Sequence, residues 1–377
     1  MRRRIQGIFM LLALATMAMP LCASADDNDA NSTHAVFAMT NAADRNEVIA
    51  FARQQDGSLR EAQRFFTGGR GSGGNTDPLA SQGALTLSQD HSLLFAVNAG
   101  SGDISLFAVN GTRLFLIDKV PSGGSEPNAI AQYGNLVYVL NTGGSSNVTG
   151  FRLSGDHLFP IKNSLAFLST NTSGAASIAF SPNGQFLAVT ERLTNDVDVF
   201  KVKADGTLSP IVINPSAGPG AFAVTFAPGG AAIVSETGPA GVANGSAISS
   251  YAVLANGTLS AISASVPTQG AANCWNAITP DGRFVYVSNS ASSTISGFAI
   301  SSTGALTPLG GTVVGENPQG ATNLDITVSS DGNFLYTLNS GDGTIGIFAI
   351  QKDGSLINVG QASGIDPASG FNGIAAN

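Results

Sequence analysis

The stretch Thr279–Leu306 reads TPDGRFVYVSNSASSTISGFAISSTGAL and alternates turns with β-strand patterns. Residues 280–282 form a turn signal, because Pro presets φ and Gly accepts left-handed geometry. The apolar run Phe284–Ser288 predicts one strand, and Ile295–Ile300 predicts a second. Thr303 and Gly304 then predict a turn into a third strand. The stretch therefore indicates short antiparallel strands joined by tight turns.

The same turn-then-strand pattern recurs along the chain at intervals of about 50 residues. Equivalent turns lie at Ser88–His91, near Tyr133–Asn135, and at Ser181–Gly184, Ala227–Gly230, Thr279–Gly282 and Ser329–Gly332. A repeat of this length with four strands is typical of a β-propeller blade, which buries both faces between neighbouring blades. The sequence therefore predicts an all-β fold, a seven-bladed β-propeller with four-stranded blades.

The two ends of the chain predict how the ring closes. Residues 34–41, HAVFAMTN, match the second strand of a blade and have no inner strand before them. Residues 371–377, FNGIAAN, match an inner strand with nothing after it. We therefore expect the first blade to contain both ends, with inner strands around Leu85, Ala129, Ile178, Val224, Ala277, Ile326 and Gly373. The Gly-rich stretch 68–78 is interpreted as a surface connection between blades.

The N-terminus has the pattern of a signal peptide. Three arginines precede an apolar run over residues 8–19, and Ala23-Ser24-Ala25 forms a small-residue cleavage site. We predict a signal peptide over residues 1–25, a disordered segment over 26–33 and one propeller domain over 34–377, in a secreted or periplasmic protein. Removing residues 1–25 leaves 14 basic against 25 acidic residues, a net charge of −11. Such a surface repels nucleic acid and anionic membranes.

Cysteine content excludes an internal disulfide in the mature chain. Cys22 leaves with the signal peptide, and Cys274 is then the single cysteine. No His lies near Cys274 in the sequence, so a buried, inert thiol is the favoured interpretation.

The repeated pattern SPDG-x-x-L/V-Y-V-x-N, I-S-x-F-x-I and DG-x-L resembles the lactonase family of seven-bladed propellers, which includes 6-phosphogluconolactonase-like and carboxymuconate-cyclase-like proteins. The resemblance covers residues 34–377 and implies a secreted hydrolase that opens a sugar or organic-acid lactone. Enzymes of that family often carry His at the start of the inner strands. Here the aligned positions are Ala84, Asn128, Ser177, Ala223, Trp275, Asp325 and Phe371. The chain departs from the family there, which argues against imidazole chemistry.

Two sets of positions are expected to converge on the mouth of the central channel: the starts of the inner strands and the loops after the second strands. The second set is Asn41, Asn98, Asn141, Glu191, Glu236, Asn289 and Asn339. The structural interpretation of the Asn residues is turn formation through their own backbone. The two Glu residues break the series, and Arg192 follows Glu191. We predict Glu191, Arg192 and Glu236 as catalytic residues, with a carboxylate base and a cation for the developing oxyanion. The alternative is that both carboxylates are solvated loop residues.

Further residues are predicted to bind substrate or metal. The substrate-binding candidates are Trp275, Asn276, Asn128, Asp325 and Asn289. Trp275 is either an interblade packing residue or a platform for a sugar ring. Glu191, Glu236 and Asp325 would be the oxygen ligands if Ca²⁺ or another divalent cation is bound, which would resemble gluconolactonases of a different propeller family. No His cluster favours Zn²⁺.

Two functions remain open on the sequence. The first is a lactonase-like hydrolase with a small-molecule lactone or carbohydrate substrate, acting as a monomer. The alternative is a non-catalytic propeller that binds a protein, a glycan or a cell-envelope partner through the same face. Turnover of a lactone distinguishes the two, because a binding module would bind without turnover.

Overall fold

The structure is a computed structural model that describes residues 34–74 and 77–377, and it is a seven-bladed β-propeller. Apart from a 3-10 turn at Pro367–Ser369, the regular elements of these residues are strands. The predicted signal peptide and the predicted disordered segment 26–33 lie outside the described residues. No helix in the described ranges is long and apolar enough to span a membrane.

Each blade is an antiparallel sheet, and in blades 2 to 7 the four main strands follow chain order from the channel outward. Blade 1 combines β29 (Ile374–Ala376) with β1 (Ala35–Met39), β2 (Glu47–Arg53) and β3 (Leu59–Phe66), and blade 2 contains β4 (Leu85–Leu87), β5 (Leu93–Asn98), β6 (Asp103–Asn110) and β7 (Arg113–Pro121). Blade 3 contains β8 (Ser125–Tyr133), β9 (Leu136–Gly143), β10 (Asn147–Ser154) and β11 (His157–Pro160), and the short β12 (Ala166–Phe167) also pairs with β10.

The remaining four blades are regular four-stranded sheets. Blade 4 contains β13 (Ala175–Phe180), β14 (Phe186–Glu191), β15 (Asp196–Lys201) and β16 (Val212–Pro215), and blade 5 contains β17 (Ala221–Phe226), β18 (Ala232–Glu236), β19 (Ala247–Val253) and β20 (Leu259–Pro267). Blade 6 contains β21 (Asn273–Ile278), β22 (Phe284–Asn289), β23 (Thr294–Ile300) and β24 (Leu306–Glu316), and blade 7 contains β25 (Asn323–Val328), β26 (Phe334–Asn339), β27 (Thr344–Ile350) and β28 (Leu356–Ala362). The predicted blade number and blade composition are confirmed.

The turn between the first two strands of a blade is built by its side chains. In blade 6 the Thr279 hydroxyl donates to Asp281 Oδ1 at 2.6 Å and accepts from the Phe284 amide at 3.1 Å. Gly282 completes the turn at a φ of +72°, which glycine adopts without a steric penalty. In blade 2 the equivalent position holds His91, at a φ of +59°. This explains one of the three His residues as a turn residue.

The second strand of each blade is nearly continuously buried, as in β22, where all six residues are buried. A strand inside a stack of sheets has apolar neighbours on both faces, so it does not alternate between apolar and polar residues. The hydrophobic core accordingly lies between the blades. Tyr286 shows the arrangement, because it is fully buried while its hydroxyl donates to the Gly354 carbonyl at 2.8 Å.

The ring closes through blade 1, as predicted. Strand β29 pairs with β1 in antiparallel register, Val36 opposite Ala376 and Ala38 opposite Ile374. The amide of Met39 donates to the Gly373 carbonyl at 3.1 Å. Gly373 has a φ of +89°, and a Cβ there would lie 2.8 Å from Leu85 Cβ, so the position favours glycine.

An ion pair joins blades 1 and 7 beside this closure. Arg53 Nη2 lies 2.7 Å from Asp331 Oδ2, and the Arg53 side chain is 6% exposed. Burial by itself raises the pKa of Asp331, but the hydrogen bonds from Arg53 and Ser329 outweigh it and hold that pKa well below its usual range. The pair therefore stabilises the joint above the pKa of a free aspartate and loses that contribution as the pH falls.

Candidate functional site

One end of the central channel is closed by residues 77–83, which we name the crossing segment. This segment leads into blade 2, yet its contacts are with blades on the far side of the ring. The Trp275 indole donates to the Ser81 carbonyl at 2.8 Å, and Gln82 Nε2 donates to the Asn276 carbonyl at 2.9 Å. Trp275 and Asn276 belong to blade 6, which is not adjacent to blade 2. The crossing segment therefore passes over the channel axis.

Blades 3 and 4 anchor the same segment from the other side. The Gln82 amide donates to the Ala176 carbonyl of blade 4 at 2.9 Å, which makes a parallel bridge to Ser177. The Ser81 hydroxyl donates to the Asn128 carbonyl of blade 3 at 2.8 Å. Three blades thus bind a segment whose backbone groups would otherwise be unpaired inside the channel.

The aromatic residues near this end are covered by the crossing segment. Trp275 is 1% exposed and packs edge-to-face against Phe222, with ring centroids 5.0 Å apart. Cys274 is buried beside them, and burial raises the pKa of its thiol far above the usual value. The predicted burial of Cys274 is confirmed. In this structure Trp275 packs in the interior and presents no open face to a ligand.

Asp77, the first residue of the crossing segment, is close enough to Arg192 to feel its positive charge. Asp77 Oδ1 accepts from Asn372 Nδ2 at 3.0 Å. Burial raises the pKa of Asp77 to about 7, although Asn372 and the positive charge of Arg192 act in the opposite direction. Arg192 itself is exposed. The guanidinium predicted to stabilise the developing oxyanion is therefore at the closed end, near Asp77.

The opposite end of the channel is open and forms a cavity between the inner strands. This cavity has a volume of ≈ 280 Å³, and its polar lining consists of Gln82, Thr86, Thr225, Asn276, Asp325 and Thr327. A second cavity of ≈ 260 Å³ shares Gln82, Thr86 and Thr225 with the first and extends toward the turns of blades 3 and 4. The crossing segment forms the common inner boundary through Gln82 and Gly83.

Asp325 is the single charged side chain among the residues that line the two cavities. Its Oδ2 accepts from the Ile374 amide at 3.2 Å, and its Oδ1 accepts from the Ile326 amide at 2.9 Å. Burial raises the pKa of Asp325 to about 7, despite these two hydrogen bonds, and the negative charge of Asp77 adds to that shift. A carboxyl with a pKa near neutrality can exchange a proton at physiological pH.

Strand β25 presents two polar side chains to the cavity, because residues two apart in a strand share one face. Asp325 and Thr327 are these residues, and both line the cavity. Across the cavity, Thr225 donates to Asn276 Oδ1 at 2.5 Å. Asn276 Nδ2 is used in a bond of 2.9 Å to Ser235. The amide of Asn276 is thus engaged with protein neighbours, whereas the structure gives no protein partner for the Thr327 hydroxyl within the described ranges.

The two predicted catalytic glutamates lie inside the walls of the ring. Glu236 is 0% exposed, and its Oε1 accepts from Ser216 Oγ at 3.0 Å, Gly218 N at 2.8 Å and Ser249 Oγ at 2.7 Å. Ser216 and Gly218 precede blade 5, so this carboxylate fastens the connection between blades 4 and 5. The alternative of a solvated loop carboxylate does not describe this buried environment.

Glu191 occupies the corresponding position one blade earlier. It is 0% exposed, and its carboxylate accepts from the Ser169 amide at 2.9 Å, the Thr194 hydroxyl at 2.6 Å and the Ser169 hydroxyl. Asp198 lies beside it, also 0% exposed. Burial raises the pKa of Asp198 to about 9, and the neighbouring Glu191 adds to that shift.

The predicted asparagines share this wall environment. Asn289 is 0% exposed and donates to Ser296 Oγ at 2.8 Å, and a Cβ on Gly270 would lie 2.2 Å from its amide carbon. Asn128 is 2% exposed and donates to the Ala175 carbonyl at 2.9 Å. Both side chains have structural contacts, but these join neighbouring strands or blades, whereas the turn interpretation expected bonds to the residue's own backbone.

The structure brings together two of the predicted residues, Asn276 and Asp325, on one cavity. Glu191 and Glu236 have separate sets of partners, and no group of three or more His, Cys, Asp or Glu side chains in the described ranges is arranged to hold a metal ion. The predicted ligand set of Glu191, Glu236 and Asp325 is therefore not assembled. The catalytic roles assigned to Glu191, Arg192 and Glu236 stay predictions.

Sequence reasoning missed the crossing segment and Gln82, although a signal was present. The connection from β3 to β4 runs from residue 67 to residue 84, whereas β7 and β8 are separated only by residues 122–124. A connection much longer than its equivalents usually has a function of its own. The stretch 68–78 was interpreted as a surface connection, but its continuation enters the channel.

Comparisons with known proteins agree with this architecture. The family model described as "Lactonase, 7-bladed beta-propeller" matches residues 44–158, 159–237 and 248–366. No curated protein matches the chain at a significant level.

Solved structures provide the fold likeness. A proposed 6-phosphogluconolactonase from Bacteroides uniformis is 18% identical, with a TM-score of 0.69 over 92% of this chain and 100% of its own. The periplasmic gluconolactonase of Pseudomonas aeruginosa is also 18% identical, with a TM-score of 0.68 over 91% of this chain and 98% of its own. A functionally unknown protein from Desulfotomaculum acetoxidans is 17% identical, with a TM-score of 0.68 over 90% and 98% of the two chains. At such identities the likeness shows the fold alone.

Proposed function

Since this chain belongs to the lactonase family of seven-bladed β-propellers, we propose that it hydrolyses a small lactone at the open end of its central channel, with Asp325 as the general base. The observation that carries the proposal is the position of Asp325. It is the charged group of a channel cavity with neutral polar walls, and its pKa is about 7. A base of that pKa is half ionised near neutral pH, where proton transfer is most efficient.

The cavity suits a small cyclic ester in size and in chemistry. Its volume of ≈ 280 Å³ is near the lower end of small-molecule sites, which span roughly 300–1,000 Å³. Hydroxyl and amide groups such as Thr86, Thr225 and Gln82 line it. Such groups can hydrogen-bond the hydroxyls of a sugar ring.

The proposed reaction balances with one water molecule. The Asp325 carboxylate takes a proton from water, and the resulting hydroxide adds to the lactone carbonyl carbon. Thr327 donates a hydrogen bond to the oxyanion that forms. The bond between the carbonyl carbon and the ring oxygen then breaks, and the ring oxygen takes the proton from Asp325. The product is the open-chain hydroxy acid, and the carboxylate is restored.

The export of the protein is part of the proposal. Residues 1–25 have the signal-peptide pattern, and one structural neighbour is a periplasmic gluconolactonase. N-terminal sequencing of the protein recovered from its native host should begin at Asp26. A mature protein that begins at Met1 would contradict export through this segment.

The test of the function compares two isosteric variants on δ-gluconolactone, with hydrolysis followed by titration of the acid released. Asp325→Asn should lower kcat by about 10²- to 10⁴-fold, the usual contribution of a general base. Glu191→Gln should change kcat by less than about threefold. A melting curve for each variant checks that it is folded.

Three results would count against the proposal. If Glu191→Gln abolishes turnover and Asp325→Asn does not, the chemistry is at the predicted Glu191 and Arg192 site. If no lactone in a panel of sugar and organic-acid lactones is hydrolysed, the proposed lactonase activity is contradicted. Binding without turnover would instead support the non-catalytic propeller that recognises a protein, glycan or cell-envelope partner.

A further inference from the structure

Blade 4 differs from its neighbours at one buried pair of residues. In blades 2, 3, 5 and 6 the residue at the end of the second strand forms a hydrogen bond with a hydroxyl group on the third strand. The register places these hydroxyl residues at equivalent positions, which are Ser105, Thr149, Ser249 and Ser296. In blade 4 the register places Asp198 at that position, opposite Val189. A hydroxyl group is thus replaced by a second carboxyl group, beside Glu191.

The two carboxyl groups share one buried environment but not the same number of donors. Ser169 and Thr194 supply hydrogen bonds to Glu191. Both oxygens of Asp198 are buried and have no hydrogen-bond partner among the described residues. Asp198 nevertheless points toward the Glu191 carboxyl and the Ser169 amide, since both influence its ionisation. A buried anion without any partner is unstable in a protein interior.

Asp198 forms no ion pair within the described ranges, so its carboxyl is ionised near neutral pH only when a cation is bound. The groups that influence Asp198 are Glu191, Asp196 and the Ser169 amide, and none of them is positive. A third-strand aspartate of blade 2 does have a cation beside it, because Asp103 lies 3.1 Å from the Lys119 ammonium. The same connection that supplies Ser169 also holds a second buried oxygen without a partner, Ser173 Oγ.

We propose that Glu191 and Asp198 bind one calcium ion in the wall between blades 3 and 4. The two carboxylates offer four oxygens, and the hydroxyls of Ser169 and Thr194 offer two more. Six hard oxygen donors match the coordination that Ca²⁺ prefers, and its charge balances the two carboxylates. The ion would replace the hydroxyl hydrogen bonds to Glu191 and would fasten the connection between the blades. The site is independent of the proposed function and of the channel.

The test uses the full chain, purified in EDTA and dialysed, at pH 7.5. Metal analysis by mass spectrometry after equilibration with CaCl₂ should find one calcium per chain. At a calcium concentration about 100 times the dissociation constant, the melting temperature should rise by roughly 3–5 °C. Asp198→Asn and Asp198→Ser, the latter placing the blade 5 residue in blade 4, should bind no calcium and show no shift.

The matched control is Glu236→Gln, which alters the corresponding glutamate of blade 5. This variant should melt at a lower temperature yet still bind one calcium and show the same shift. The proposal is overturned if wild type binds no calcium and its melting temperature does not respond to the ion. It is also overturned if Asp198→Asn binds calcium as wild type does. A third outcome also overturns it: wild type binds no calcium, and Asp198→Asn is as stable as calcium-free wild type. Glu191 and Asp198 would then share a proton instead of a metal ion.

Discussion

The two ends of the central channel are built from the same seven strands but have opposite character. At the closed end, the crossing segment covers Trp275 and forms hydrogen bonds with three blades. At the open end, Asp325 and Thr327 border a cavity whose other polar groups are neutral. The difference shows that repeated strands do not by themselves produce a site. One non-repeating connection decides which end of the channel is covered.

The C-terminal strand links both ends, so its removal should have the largest effect. Asn372 bonds Asp77 at the closed end, and the Ile374 amide bonds Asp325 at the open end. Deleting residues 371–377 also removes the buried side chains of Phe371 and Ile374. We expect a loss of more than about 5 kcal/mol of unfolding free energy, because each large buried side chain contributes several kcal/mol. Calorimetric melting curves measure this loss.

The control for the deletion is Asn377→Ala, which keeps the strand. Asn377 Oδ1 accepts from the Ala35 amide at 2.6 Å, so this change should cost only about 1 kcal/mol. A deletion variant that melts like wild type would contradict the closure of the ring through blade 1.

The pH dependence of hydrolysis should separate the two ends. Asp77 and Asp325 both have a pKa raised to about 7 by burial, but we place only Asp325 at the reaction. The carboxylate is the active form of a base, so the rate should rise about tenfold per pH unit below pH 7 and level off above it. Asp77→Asn should keep the shape of this profile but shift it to lower pH, because the charge of Asp77 adds to the pKa of Asp325. The residual rate of Asp325→Asn should lack the profile. A profile that follows Asp77 would assign the chemistry to the closed end.

The same two groups affect folding stability in a defined direction. Their pKa values in the folded protein are above the value of about 4 for an unfolded aspartate, so the folded state binds more protons between pH 4 and pH 7. Stability should therefore fall as the pH rises through that range. Urea unfolding at pH 4.5 and pH 7.5 measures this change in stability. The double variant Asp77→Asn with Asp325→Asn should show a smaller difference between the two pH values.

Loosening the crossing segment should change stability more than activity. Trp275→Phe removes the indole hydrogen bond to the buried Ser81 carbonyl. An unpaired buried carbonyl costs about 1–3 kcal/mol, so the melting temperature should fall while kcat changes less than about threefold. Phe159→Leu, at an aromatic residue that is 54% exposed, should alter neither quantity. A large loss of activity in Trp275→Phe at an unchanged melting temperature would instead support the predicted role of Trp275 as a platform for a sugar ring.

The smallest effect is expected at a turn near the open end. His91 has a φ of +59°, whereas glycine occupies the equivalent position in blade 6. Left-handed backbone geometry costs a residue with a Cβ about 1 kcal/mol. His91→Gly should therefore raise the unfolding free energy by about 0.5–1 kcal/mol, reduced by the greater chain entropy of glycine in the unfolded state. Activity should be unchanged, since His91 lies outside the lining of the cavities.

The sequence by itself determined the blades, because each blade is a local unit. Turn signals such as Thr279–Gly282 and the apolar run Phe284–Ser288 pair with strands only a few residues away. The closure of blade 1 was also predictable. The C-terminal residues match an inner strand with no blade after it, and the N-terminal residues match a blade that lacks its inner strand. Local hydrogen bonding and a regular period are both visible in one dimension.

Only the tertiary structure decided which polar side chains line a cavity and which are buried in the walls. Glu191 and Glu236 occupy positions that the repeat made conspicuous, yet they are buried in interblade contacts. Gln82 and Asp325 became neighbours on one cavity because a loop from blade 2 crosses the axis and meets blades 4 and 6. That contact joins residues almost 200 positions apart, such as Gln82 and Asn276. A repeat pattern holds no information on such a pairing, because it depends on how the whole ring brings distant backbone groups within hydrogen-bonding distance.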